Sequence, residues 1–589
     1  MLLELLILIF GLFSSYLLIR SIYNDQTLVK LIISTITIFM CLLILFGYYL
    51  DRFGAPLFSI YTLIIFLLIA GTILLRNRQL LHPNIEVDKK FAIGFLFIFV
   101  VGFIVYILPA LPSLFPVGRI TDSAMHYAIS KFITEHNSLM FSGSQYTLFP
   151  EWNQYPFGLH LNVAFVSMVL NVDTIVVIYP YIVSISVLTA VVVYGIVVES
   201  KISGRLFGLF PSFVALSFYL SMDMVRVQAT WAMAFGIFLV LMFVWFIMDY
   251  IKNPRIMCLL PLALVEITIV FSYPYWAAIP VTTFLLVLLW DKDIKLGIKD
   301  RLMHASIFFL LVGALTIDYM ILIVTLAKNV MGVGDYKVSF VRFLPFDFFG
   351  WRIEEPNPFI IDMINNIMTI FFTLAILMVV KSVIDRKNKL PLYFFAAALL
   401  QALILSMGVF FLDFRVYPYS KAYYLLTYPA AIFLFIGLKD FVSYLNISTI
   451  IKNTTTLKAL FLVILVGSVI ISGQLMSMGV KMTGNQELAI SPDQYDVALW
   501  TKNNLPVGPL TYLGATPQDL WFYVVSGHNP TDPIMVLGPP LDEYFENWYL
   551  TAEVGDTAVL LDINRISNVN VESFNVLYKK GNAVVLKKK

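Results

Sequence analysis

Charge is scarce in this sequence. Only 13% of its 589 residues are Asp, Glu, Lys or Arg, whereas 60% are hydrophobic. A soluble globular domain carries about 25% charged residues, so the composition excludes an ordinary soluble globule and predicts an integral membrane protein. The net charge of +2 says little about partners. The bilayer is the one partner that the composition predicts, and we expect no nucleic acid.

Cysteine and the common nucleotide motifs are also rare or missing. The two cysteines, Cys41 and Cys258, lie inside apolar runs, which argues against a disulfide framework or a zinc site. The sequence contains no Walker motif and no glycine-rich loop between a strand and a helix, the patterns that hold nucleotide phosphates. The first segment, "MLLELLILIF", lacks a basic stretch and a small-residue cleavage site. We interpret it as a membrane span and not as a signal peptide.

Long apolar runs fill most of the chain. Runs of about 17 to 25 apolar residues mark membrane-spanning helices, and we predict about 14 of them. The stretches 205–250 and 257–290 are each too long for one span, and we divide them at "SMDMVR" and at "SYPYW", where proline disfavours continued helix. The predicted spans lie near 2–23, 28–50, 55–75, 91–110, 173–198, 205–221, 229–250, 257–272, 275–290, 304–327, 360–382, 391–413, 421–440 and 457–477.

Lysine and arginine predict the orientation of these spans. Cytoplasmic loops of membrane proteins are enriched in both residues. The basic loops fall on one face if both long stretches are divided, and we assign that face to the cytoplasm: 76–90, 199–205, 251–256, 291–303, 383–390 and 439–458. Both termini and the loop 111–158 are then external, as expected for a multi-pass protein of the plasma membrane.

The external loop 111–158 carries the first group of candidate functional residues. The segment "DSAMHYAISKFITEHN" predicts an amphipathic helix along the membrane surface, and "PFGLHLNVAFVSMVL" predicts a half-inserted helix that contains His160. Arg119, Asp122 and His126 are spaced three and four apart and would share one face of the first helix. Ionisable residues at the edge of a membrane often mark a functional site. The competing interpretation is that Asp122 only caps the helix.

Two further groups of charged residues lie in predicted external segments. "DFRVYPYSKAYYLLTYP" contains Arg415, Tyr419 and Lys421, which form either an interfacial belt or a clamp for a phosphate. "DYKVSFVRFLPFDFFGWRIEEP" contains Arg352 and is either a substrate loop or a solvated connector. Asp122 and His126 could supply two metal ligands, but no clear third ligand accompanies them. We therefore assign no metal ligand and no cofactor, and the need for a divalent metal stays open.

The chain changes character near residue 478. "SPDQYDVALWTKNNLPVGPLTYLG" predicts a capped helix followed by a strand, and "TAVLLDIN", "FNVLYKK" and "NAVVLKKK" predict further strands. The predicted fold is therefore a mainly α, polytopic bundle of membrane helices with a small C-terminal extracytoplasmic α/β domain. Its predicted parts are N-terminal membrane helices at 1–90, a transmembrane core at 91–477 and the α/β domain at 478–589.

The order of these features resembles the GT-C superfamily of glycosyltransferases, which use polyprenyl-phosphate sugars. The similarity lies in an Asp at the head of a helix in a large external loop, a "YPFGLH" half-helix, an "R-x-Y-x-Y-x-K…YP" segment and an external α/β domain. "DQYDVALWTKNNLP" and "YKKGNAVVLKK" also resemble parts of that family's C-terminal domains. The resemblance covers most of residues 91 to 589. The chain departs from the family in two ways. Three spans precede the one that leads into the first large external loop, and that loop lacks the paired acidic residues found in several branches of the family.

The resemblance implies roles for individual residues. An acidic residue of the first large external loop commonly acts as the family's catalytic base, which corresponds to Asp122, with His126 as an orienting group. Basic residues beside late spans hold the donor phosphate, which corresponds to Arg415 and Lys421. The remaining residues that we assign to substrate binding are Arg119, His160, Arg352 and Tyr419.

The implied activity is transfer of a sugar from a polyprenyl-phosphate donor to a cell-envelope acceptor on the outer face, by an inverting displacement. The acceptor would be a glycan, a lipid or a protein. Two alternatives remain. One is a flippase or transporter of lipid-linked glycans, and the other is an enzyme that polymerises or ligates glycans.

Overall fold

The helices and strands described below belong to a computed structural model. It describes residues 2–23, 26–77, 80, 87–118, 122–139, 155–200, 209, 212, 225, 229–330, 389–411, 488–506, 508, 510–513, 518–528, 548, 550–565 and 573–589. Most of them are helical. The helices before the C-terminal region are α1 Leu2–Ile22, α2 Leu28–Arg52, α3 Ile60–Arg76, α4 Lys89–Ile107, α5 Asp122–His136, α6 Gly158–Leu170, α7 Thr174–Glu199, α8 Trp231–Lys252, α9 Leu259–Ser272, α10 Ala278–Trp290, α11 Ile298–Val330 and α12 Lys389–Phe411.

Several predicted membrane spans are present as helices of the expected length. Within the described residues, six helical segments are long and apolar enough to cross a bilayer, namely α1, α2, α4 with its 3₁₀ extension to Ala110, α7, α8 and α11 as far as Leu322. Shorter apolar helices occupy the predicted spans 55–75, 257–272, 275–290 and 391–413. The chain is therefore a multi-pass membrane protein. The predicted spans 205–221, 360–382, 421–440 and 457–477 lie outside the described residues, so the number 14 stays a prediction.

The division of the stretch 257–290 is confirmed. Helix α9 ends at Ser272, and a 3₁₀ turn, Pro274–Trp276, separates it from α10. Proline has no N–H to donate, so the helix cannot continue through this position without losing a hydrogen bond. With 14 and 13 residues, each of the two helices is shorter than a full span.

Helix α8 lies at the centre of the membrane part. Most of its side chains are fully buried, because α7 and α9 pack along it and its sequence is apolar on every side. The contact with α7 is close at Gly195, where a Cβ would clash with the Trp245 ring. Since α8 has 22 residues, its ends are about 33 Å apart, comparable to the thickness of the hydrocarbon core.

An ionic cluster marks the C-terminal end of α8. Lys30 Nζ lies 2.8 Å from both Glu199 Oε2 and Asp249 Oδ1 and 5.0 Å from the centre of the Trp245 ring. Lys252 reaches the same two carboxylates at 3.4 and 3.7 Å. The beginning of α2 and the ends of α7 and α8 therefore lie on one face of the protein.

The opposite face holds the two short helices of the first large loop. The prediction of an amphipathic helix is confirmed: α5 begins at Asp122 and buries Ala124, Ala128 and Phe132. Its neighbours are α6, α7 and a helix of the C-terminal region, so protein covers most of its surface. Helix α6 has 13 residues, about 20 Å, which is too short to cross the bilayer. At its first residue, Gly158, a Cβ would clash with the hydroxyl of Ser272 on α9.

The C-terminal region forms an α/β unit, as its sequence predicts. Its elements are α13 Pro492–Asn504, β1 Thr511–Leu513, α14 Gln518–Ser526, β2 Thr557–Leu560, β3 Phe574–Lys580 and β4 Ala583–Lys588. The strand order is β1-β2-β4-β3, with β1 and β2 parallel and the other pairs antiparallel. Helix α13 begins with a capping box, in which the Ser491 and Gln494 side chains each accept from the other's backbone N–H.

Candidate functional site

Asp122 is the first residue of α5 and is partly exposed. The next residue, Ser123, is buried, and its hydroxyl accepts a hydrogen bond of 3.2 Å from Trp521 Nε1 on α14. Tyr127, one turn further along α5, packs on the same indole at 5.2 Å and lies 3.3 Å from the Tyr495 hydroxyl of α13. The head of α5 is therefore held at the junction between the membrane helices and the C-terminal unit.

A second set of contacts joins the chain segments at this junction. Val117 pairs with Leu488 as an antiparallel bridge, and the Ala489 N–H donates to the Pro116 carbonyl at 2.8 Å. Apolar residues from both sides form one buried cluster around α5. The C-terminal unit is thus packed directly on the segment that carries Asp122.

His126 is fully buried and both of its ring nitrogens have protein partners. Nδ1 lies 2.8 Å from His160 Nε2, and Nε2 lies 2.9 Å from the Ala229 carbonyl oxygen. The ring also stacks on Trp231 at 5.3 Å and meets Tyr155 edge-on at 5.8 Å. Each ring nitrogen makes one in-plane hydrogen bond, so the ring is held from the side of α8 and not through a bond to Asp122.

His160 completes the arrangement from α6. Its second nitrogen, Nδ1, lies 3.1 Å from the Pro156 carbonyl oxygen, and the side chain is fully buried. Direct contact between His160 and a substrate would therefore require one of these hydrogen bonds to break. We refer to His126 and His160 as the histidine pair.

Burial lowers the pKa of both histidines of the pair. Desolvation lowers the pKa of His126 to about 3, and its hydrogen bond to the Ala229 carbonyl opposes that shift. At neutral pH the ring is consequently uncharged. It is suited to holding the beginning of α5 in place and not to carrying a permanent charge.

The structure brings together three of the residues that the sequence singles out. Asp122, His126 and His160 lie at one end of the protein, as the loop position of all three predicts. The other predicted site residues, Arg119, Arg352, Arg415, Tyr419 and Lys421, lie outside the described residues, and their roles stay predictions. Among the described residues, no group of three or more His, Cys, Asp or Glu side chains could hold a metal ion.

Three components of the site are not among the residues that the sequence predicts. Trp231, Tyr155 and the Ala229 carbonyl enclose the histidine pair. Trp231 begins α8 directly after a polar break in the sequence, which is the signal that could have identified it. A backbone carbonyl leaves no trace in a residue pattern, although Ala229 has a positive φ of 46°, a conformation that L-residues rarely adopt.

The fold and the site define a multi-pass membrane protein whose peripheral helix α5 lies beneath a small α/β unit. No protein-family model matches the chain, and no curated protein matches it. Among solved structures, the chain is similar to the crystal structure of ArnT from Cupriavidus metallidurans bound to undecaprenyl phosphate. The two share 13% sequence identity with a TM-score of 0.44, over 85% of this chain and 98% of that one. Similarity at this level does not indicate a reaction or a ligand for this chain.

Proposed function

We propose that this protein is a membrane glycosyltransferase that transfers a sugar from a polyprenyl-phosphate donor to a cell-envelope acceptor. The observation that supports the proposal is the place of Asp122. This residue is partly exposed at the head of α5, where the membrane helices meet the C-terminal α/β unit. A lipid-linked donor approaches such a position from the bilayer, and a water-soluble or surface acceptor approaches it from the α/β side.

In the proposed reaction Asp122 is the general base. The acceptor hydroxyl gives its proton to the carboxylate while its oxygen bonds to the anomeric carbon of the sugar. The bond from that carbon to the phosphate oxygen breaks, and the polyprenyl phosphate leaves with the electron pair. A carboxylate within hydrogen-bond reach of the hydroxyl is suited to this proton transfer.

The histidine pair has a positioning role in this proposal. It is fully buried and has a protein group within hydrogen-bond distance of every nitrogen, so it holds α5 against α6 and the beginning of α8. Arg415 and Lys421 remain our candidates for holding the donor phosphate, since a cation stabilises the charge that develops on a leaving phosphate. By the positive-inside assignment, the site faces the outside of the plasma membrane.

The test is incubation of the purified protein in lipid vesicles with a polyprenyl-phosphate sugar labelled in the sugar. We expect labelled sugar on an acceptor extracted from the cell envelope, together with release of polyprenyl phosphate. Transfer only from diphosphate-linked oligosaccharides would instead indicate a polymerase or ligase. Movement of intact donor across the bilayer, with no bond cleaved, would indicate a flippase.

A further inference from the structure

The histidine pair belongs to a row of four groups whose contacts need more N–H groups than two neutral histidines supply. The row runs from the Ala229 carbonyl through His126 and His160 to the Pro156 carbonyl, with contacts of 2.9, 2.8 and 3.1 Å. Both ends are carbonyl oxygens, which only accept hydrogen bonds. Three contacts therefore need three N–H groups, but two neutral imidazoles supply two.

A neutral pair must leave one contact without a proton. Two imidazole nitrogens 2.8 Å apart need a proton between them. The missing N–H is then at one of the two ends, where a nitrogen lone pair faces a carbonyl oxygen. One additional proton removes this repulsion and satisfies all three contacts. The row is thus arranged for a pair that carries one positive charge, although burial favours the neutral form.

Nearby charge decides between these two forms. Within the described residues, Asp173 is already paired with Lys131 at 2.7 Å, and Asp51 accepts from the Leu139 N–H. Asp122 lies one helical turn before His126. The titratable and charged groups on α5 and on the elements packed around the pair include Asp122, Tyr127, Lys131, Glu135, His136, Tyr155, Asp173, Glu266 and, at the end of α2, Asp51 and Arg52.

We propose that the histidine pair takes up one proton when an anionic phosphate lipid binds at the head of α5. The inference rests on the proposed function, because that function brings a phosphate to this position. The extra proton makes the pair a buried cation one helical turn from the ligand. The pair then acts as a positioning and charge-balancing unit without touching the ligand.

Coulomb attraction is large enough for this coupling. A unit negative charge about 6 Å away, at an effective dielectric constant of about 20, raises a pKa by about 2 units. A phosphate monoester carries a charge of about −1 to −2 near pH 6, so its attraction is between one and two times that of a unit charge. Burial holds the pKa of both histidines below the ordinary value, and a bound phosphate shifts the pKa of the pair upward from there. Uptake of the proton then strengthens ligand binding as the pH falls through the pKa of the liganded pair, and the gain levels off below the lower pKa of the free pair.

The experiment is ¹⁵N NMR of the full chain, labelled in its histidines, in lipid bilayers at pH 6 with and without a polyprenyl phosphate. We expect one doubly protonated imidazole to appear on binding in the wild type. The signal should be lost in His126→Gln and in His160→Gln, because neither variant can share the third proton. His304→Gln is the matched control, since His304 is also buried but bonds to Tyr250 on the far half of α8; it should keep the signal.

Each outcome decides the proposal. Polyprenyl phosphate that binds the wild type without the appearance of a new doubly protonated imidazole overturns the coupling and leaves the proposed function intact. Failure of polyprenyl phosphate to bind overturns both. The wild-type spectra decide the question by themselves if either glutamine variant does not fold. The signal expected in the wild type but absent from both variants supports the proposal.

Discussion

Replacing Lys30 with Met should destabilise the protein much more than replacing Lys252 with Met. Both lysines contact the carboxylates of Glu199 and Asp249, but their surroundings differ. The Lys30 side chain is 2% exposed, whereas that of Lys252 is 59% exposed. The pair of variants therefore compares a buried cation with an exposed cation at the same two anions.

The expected magnitudes follow from burial. Removing one partner of a buried ion pair costs about 3–5 kcal/mol, because the remaining charge has neither water nor a counter-ion. Here two carboxylates, 17% and 11% exposed, would keep only the exposed Lys252 as a counter-ion. The exposed Lys252 should contribute only about 0.2–1 kcal/mol, since water screens its contacts.

The assay is equilibrium unfolding of the purified variants in mixed detergent micelles. Neutralising the anions as well, in the triple variant Lys30→Met, Glu199→Gln and Asp249→Asn, should recover most of the loss, because no unpaired buried charge remains. Equal effects of Lys30→Met and Lys252→Met would contradict the stronger contribution of the buried cation. So would a triple variant that is less stable than Lys30→Met alone.

Three further predictions concern packing, donor binding and topology. Gly158→Ala should destabilise the protein by about 1–3 kcal/mol, because its Cβ would clash with α9; Gly71→Ala, which has open space, should be nearly neutral in the same unfolding assay. Arg415→Ala and Lys421→Ala should each weaken binding of a polyprenyl-phosphate sugar by about 1.5–3 kcal/mol; normal binding by both variants would make these residues an interfacial belt. In a chain without its native cysteines, Gly297→Cys should react with a thiol reagent only from the cytoplasmic side, and a cysteine at the C-terminus only from outside; the reverse pattern would overturn the site's external location.

Local elements of the fold were predictable because their signals are local. The capping box of α13 is visible in Ser491 and Gln494, and the end of α9 is visible in Pro274. The beginning of α5 follows from Asp122 and the periodic residues after it. In each of these cases the residues that determine the structure lie within a few positions of one another.

The histidine pair was not predictable, because its partners are far apart in sequence. His126 and His160 are 34 residues apart, and Ala229 is 103 residues from His126. No periodic pattern links such positions, and the contact depends on how α5, α6 and α8 pack. Along the helix Asp122 is the nearest charged residue to His126, whereas packing directs the ring toward His160 and the Ala229 carbonyl.

The most direct test of Asp122 as the general base is the rate of sugar transfer by Asp122→Asn. Asparagine can cap a helix about as well as aspartate, so α5 should stay folded, but the amide cannot take the acceptor's proton. We predict a fall in rate by a factor of about 10²–10⁴. Asp88→Asn is the matched control, because Asp88 caps α4 and accepts from the Phe91 N–H; its transfer rate should stay near that of the wild type. A folded Asp122→Asn variant that transfers sugar as fast as Asp88→Asn would show that Asp122 is only a helix cap.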